Sequence, residues 1–109
     1  VFEEKVNTLD YDSIQYYLDH CINRIFAILG IYEDCNKRGD MKDFHIYLSR
    51  LVTEFSGLQD LFKLDILISL IGILQGMNIN EDIKHSEVKS LVFHCISLIK
   101  RGAKENGVL

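Results

Sequence analysis

Proline and tryptophan are absent from this 109-residue chain, and alanine occurs only at Ala27 and Ala103. Set against its abundant isoleucine and leucine, that bias points to an AT-rich coding sequence. Long hydrophobic runs are also missing. The most apolar stretch, "DILISLIGILQG" (65–76), has only nine residues between Ile66 and Leu74, with Lys63 and Asp65 just before them. A membrane span needs about 20 predominantly apolar residues, so that reading is excluded. No Asn-Gly or Asp-Gly turn stands between alternating apolar runs, which leaves no β-hairpin. The three cysteines make an odd count with no close pair. Cys21 and Cys35 fall on one predicted helix, ~21 Å apart at 1.5 Å per residue, far beyond disulfide reach. Free buried thiols in a reducing compartment are expected, and with them a cytoplasmic location. The N-terminal "VFEEKVNTLD" has no basic segment followed by an apolar run, so no secretory signal is expected there.

A concentrated basic surface is lacking too. The formal net charge is −4, and residues 1–43 hold nine acidic side chains against five basic ones. Residues 84–104 reverse the balance, with five Lys/Arg against Glu87, but these are too few and too dispersed for a nucleic-acid footprint. Lys100, Arg101 and Lys104 read as cations at a helix C-terminus.

What is present is helical spacing. The apolar share is 48% and the charged share 26%, as in a soluble globular domain of this length. Tyr11, Ile14, Leu18, Cys21, Ile25, Ile28, Tyr32 and Cys35 alternate steps of three and four. They predict a long first helix over about 12–37, capped by Asp10 or Asp12 and ended by Lys37-Arg38-Gly39. A second helix follows Asp40 with the stripe Met41, Phe44, Leu48, Leu51 and Phe55, and ends near Ser56-Gly57. Ser56 and Gln59 have the form of a capping box opening a third helix, which Gly76 closes. "MNINED" is a loop with Asn78 or Asn80 as cap. The last helix carries Val88, Leu91, Val92, Cys95, Leu98 and Ile99 and stops at Gly102.

The fold expected is all-α: an antiparallel four-helix bundle in one domain, residues 1–109, with flexible ends at 1–9 and 103–109. A faint repeat about 42 residues long, "ILGIYEDCNKRGDMKDF" against "LIGILQGMNINEDIKHS", makes two stacked helical hairpins the variant architecture.

Two segments exceed what a bundle needs. Residues 66–74 and 21–32 are apolar on nearly every side, whereas a bundle helix keeps a polar back. Surplus apolar surface marks an interaction site. The face of helix 1 opposite its seam reads Tyr16, His20, Asn23, Ala27 and Gly30; Ile68 and Gly72 on helix 3 complete the expected interface. Gly72 is expected to permit a close helix crossing.

Constellations with chemical potential fall short of their patterns. "DCNKRGDMKDFH" (34–45) places Asp34, Asn36, Gly39 and Met41 as a Ca²⁺ loop would, but puts Arg38 and His45 where oxygen ligands belong. Asp82 and His85 share a helical face without the second pair a di-iron bundle uses, so a local ion pair is expected. His20-Cys21 and His94-Cys95 cannot chelate as adjacent residues, being ~100° apart on a helix. No Gly-x-Ser-x-Gly, Gly-rich phosphate loop or Cys-x-x-Cys occurs. Arg38 and His45 have the loose spacing seen in some helical ribonucleases but straddle a helix break. The sequence therefore predicts no catalytic residue, metal or cofactor. Its leading reading is a non-catalytic interaction or regulatory module acting as a homodimer or binding another protein. The alternatives are a bundle holding an apolar small molecule or lipid, and a helical ribonuclease.

Overall fold

The computed structural model describes the backbone of residues 2–105 and the side chains of residues 15–102. Val1 and residues 106–109 lie outside it, as do the side chains of Tyr11 and Ile14. Helix α1 spans Phe2–Arg38, so it begins ten residues earlier than its acidic residues suggest. Asp10 and Asp12 are inside the helix rather than caps. The backbone is helical without a break from Phe2. The backbones of residues 2–9 and 103–105 are helical. The seam is as spaced: Leu18, Cys21, Ile25, Ile28, Tyr32 and Cys35 are all buried.

The end of α1 is a Schellman turn. The Gly39 N–H donates to the Asn36 carbonyl at 3.2 Å and the Asp40 N–H to that of Cys35 at 3.1 Å, with Gly39 at φ +72°. The Asp40 carboxylate then accepts the Lys42 N–H at 3.0 Å as α2 (Lys42–Phe62) starts. α2 buries Phe44, Leu48, Leu51 and Phe55. It does not stop at Ser56-Gly57. One glycine inside a helix costs only about 1 kcal/mol, and Leu58 packing on the core beyond it outweighs that. The break comes at Lys63, which takes a left-handed conformation (φ 57°) and donates its N–H to the Gln59 carbonyl at 2.8 Å. Ser56 and Gln59 thus form no capping box for a new helix.

α3 (Asp65–Ile79) contributes Leu67, Leu70, Leu74 and Met77 to the core. Gly76 lies within it and does not close it. Asn78 is also helical, whereas Asn80 stands at the C-terminal end and uses its side chain to hold the next turn, accepting the Asp82 N–H at 3.2 Å. α4 (His85–Glu105) buries Val88, Val92, Cys95, Ile96 and Ile99. Gly102 does not terminate α4; it marks the closest helix approach among the described glycines. A Cβ there would lie 3.2 Å from Ile66 Cδ1, whereas one on Gly72 would meet nothing within 4 Å. The close crossing expected at Gly72 belongs to Gly102.

Each helix packs on its sequence neighbours, and α1 also packs on α4, while the described backbones of the diagonal pairs α1/α3 and α2/α4 stay apart. That closes an antiparallel four-helix bundle rather than leaving two stacked hairpins. No polar side chain is among the buried residues described.

Candidate functional site

The closed ring explains most of the apolar surplus. Around α1, Cys21, Ile25 and Ile28 face the core, while Ile22, Leu29 and Ile31 pack on its margins. On α3, Ile66, Ile71 and Ile73 serve similarly. Helices flanked on two sides bury aliphatic residues on their margins as well as on their core stripe, so "apolar all round" needs less outside cover than an isolated stripe implies. What stays outside is specific. Phe26 is 50% exposed and Phe93 44%, with Ile68 and Ile79 on α3 and Tyr16, Ile46 and Leu61 elsewhere.

The residues expected to form the interface are exposed, but they do not share one surface. Asn23, Ala27 and Gly30 lie on the outer face of α1. Tyr16 sets its ring edge against Tyr17 at 5.3 Å. His20 turns toward α2, where its Nε2 lies 3.0 Å from the Glu54 carboxylate. Ile68 and Gly72 lie on the outside of α3, the helix diagonal to α1. The sequence pattern did not single out Phe26 with Phe93. Their rings meet edge to face at 6.0 Å across α1 and α4. Neither fits its helix's core stripe, and that misfit was the available signal.

Beside the pair, the outer surface is small and polar: Ala27 and Gly30 from α1, Ser90 and Ser97 from α4, all exposed. Its two edges differ in charge. Asp19 and Glu33 are exposed on the α1 side, Lys89 and Lys100 on the α4 side. Glu33 also lies 3.4 Å from His85 Nε2, and His85 stacks on the Tyr32 ring at 5.6 Å. The local Asp82–His85 pair expected from spacing is replaced by this cross-helix arrangement.

A polar cluster joins α1 to α2. The Arg24 guanidinium donates to Glu54 at 2.9 Å and lies 5.1 Å from the Tyr47 ring centroid; the Tyr47 hydroxyl donates to the Arg24 carbonyl at 2.7 Å. Burial raises the Tyr47 pKa, offset in part by the Arg24 charge. Arg38 pairs with Asp43 at 3.2 Å and His45 turns to Asn78 at 3.0 Å, so the two residues of the ribonuclease-like spacing face different neighbours. Cys21, Cys35 and Cys95 are buried free thiols, and burial pushes Cys21 and Cys95 up to about 12. A thiol so protonated is a poor nucleophile and a poor ligand at neutral pH. Among the described residues, no three or more metal-ligating side chains converge, and no helix is long and apolar enough to cross a membrane. Neither a family model nor a curated protein nor a solved structure matches this chain.

Proposed function

We propose that this chain is a non-catalytic helical interaction module that acts in the cytoplasm as a homodimer, joined through its α1/α4 face. The observation that carries the reading is the Phe26–Phe93 pair, two half-exposed rings that meet across α1 and α4 outside the closed core. Large exposed apolar groups mark association sites. Each phenylalanine side chain offers 150–250 Å², so the two leave ~200 Å² uncovered and a pair of copies ~400 Å². At ~25 cal/mol per Å² that is ~10 kcal/mol, comparable with the 4–15 kcal/mol cost of association. The aromatic pair must therefore be joined by its surroundings, and these suit a second copy. Ala27, Gly30, Ser90 and Ser97 leave room beside the rings for the partner's rings.

Charge favours the same occupant. The Phe26–Phe93 contact and the Glu33–His85 pair fix the antiparallel register, which sets Asp19 level with Lys100. A two-fold axis parallel to the helices lays each α1 edge over the α4 edge of the other copy. Asp19 then faces the partner's Lys100, and Glu33 comes near the partner's Lys89. The test is paired. Phe26→Asp and Phe93→Asp should each shift the chain to a monomer with its helical content unchanged, while Ile68→Asp, on the far side of the bundle, should leave the dimer intact. Dimers surviving both phenylalanine changes would overturn the reading.

A further inference from the structure

The α2/α3 side of the bundle carries a second arrangement that neither the core nor the α1/α4 face explains. A surface depression of about 720 Å³ runs along α2, lined by Lys42, His45, Ile46, Ser49, Arg50 and Asn78 among others. That volume is in the range of small-molecule sites. Its polar groups are ordered in a chain. The Asn78 side-chain amide donates to the Ser49 hydroxyl oxygen at 2.9 Å, and its carbonyl oxygen lies 3.0 Å from His45 Nδ1. An amide oxygen can only accept, so Nδ1 carries the proton, and Nε2 is the imidazole's remaining polar atom.

Two features then stand out. The Ser49 oxygen accepts from Asn78 while its own O–H has no acceptor among the described residues. Thr53, one turn along, differs: its hydroxyl donates to the Ser49 carbonyl at 3.2 Å. A mid-helix serine either bonds back in that way or turns outward, and Ser49, which is exposed, turns outward into the groove. Also, the Lys42 ammonium and the Arg50 guanidinium form no ion pair among the described residues, although this chain is acidic overall. They are eight residues apart on one helix, ~12 Å by rise, and Ser49 and Ile46 lie between them. Glu54, the acid at the rim, already pairs with Arg24, whose charge offsets its own.

We propose that this groove binds a small organic oxyanion. Lys42 and Arg50 close on the anionic group from either end, Ser49 donates its hydroxyl to it, and the apolar body lies on Ile46. Asn78 and His45 are positioning residues, since they hold Ser49 with its proton outward. A phosphate monoester and a carboxylate share this chemistry, and the bidentate fork of Arg50 suits both.

The experiment is a chemical-shift titration of the labelled full chain with phenyl phosphate and, separately, with benzoate, at constant ionic strength. The expected result is a saturable shift at residues 42, 45, 46, 49, 50 and 78. Saturation by phenyl phosphate alone assigns the site to phosphate esters; saturation by both assigns it to oxyanions generally. The Lys42→Gln/Arg50→Gln variant should weaken binding at least tenfold while its thermal unfolding stays near the parent's. Both changes are on the exposed surface, so the fold survives them. Non-saturable shifts with both probes, or unchanged affinity in the double variant, would overturn the proposal. Tight binding of an acidic helical peptide with neither small probe bound would also overturn it, in favour of a protein partner.

Discussion

Removing one oxygen atom, in Tyr32→Phe, isolates the bond that ties the α3–α4 turn to α1. The Tyr32 side chain is buried, and its hydroxyl donates to the Ile83 carbonyl at 2.9 Å across 51 residues of sequence. Its ring packs edge-on against Phe44 at 5.2 Å and stacks on His85 at 5.6 Å, and both contacts survive the change. What is lost is one hydrogen bond, about 1 kcal/mol net, and a buried carbonyl deprived of its partner carries the cost toward 1–3 kcal/mol. Ile83 is itself buried, so water cannot readily replace the hydroxyl. A loss of about 1.5 kcal/mol is expected in urea unfolding followed by circular dichroism. The midpoint should fall while the slope stays constant. Parent and variant must be compared at one protein concentration, because the proposed association would add to apparent stability. Hydrogen exchange should accelerate first at residues 83–85. A midpoint shift worth less than about 0.3 kcal/mol would refute the reasoning, since it would mean that the Ile83 carbonyl finds another partner at no cost.

Three other outcomes follow from the same structure. Gly39→Ala places a side chain at φ +72° and should cost about 1 kcal/mol in the same unfolding assay. Glu54→Gln removes the charge that holds both Arg24 and His20 and should lower stability by about 0.5–1.5 kcal/mol, less at high salt because the pair is partly exposed. The thiols of Cys21 and Cys95 are raised from the ordinary 9.0 to about 12 by burial, so folding favours their protonated form. Their contribution is complete below about pH 9 and disappears as pH rises toward 12, so the unfolding midpoint should fall across that window and both thiols should resist alkylation at pH 8 until the chain unfolds.

Much of this architecture was legible because the core positions recur at helical spacing. Every seam residue of α1 from Leu18 to Cys35 is buried, as is the stripe of α2 from Phe44 to Phe55. Helix ends were less legible. Glycine and serine suggested stops at Ser56-Gly57, Gly76 and Gly102, yet the helical backbone continues through all three. The true break at Lys63 uses a left-handed lysine, which no composition rule marks. Asp10 and Asp12 look like caps because they precede the seam, but a cap requires a non-helical residue and nothing upstream ends the helix. The exposed apolar face of α1 was partly legible. Asn23, Ala27 and Gly30 were found as the back of α1, but Phe26 was hidden in an all-apolar segment, and its partner Phe93 came from a helix 67 residues away. Ile68 and Gly72 could be grouped with α1 only while the order of helices round the ring was unknown. The α2/α3 groove was not foreseen, because its polar chain joins His45 and Ser49 to Asn78 on another helix.

The most direct test of the central claim is the solution mass of the unaltered chain by light scattering after size exclusion, over a hundredfold range of concentration. The account predicts about twice 12.6 kDa at the upper end, with dissociation only on dilution. A mass of 12.6 kDa throughout would contradict it and would leave the Phe26–Phe93 pair without a second copy to cover it.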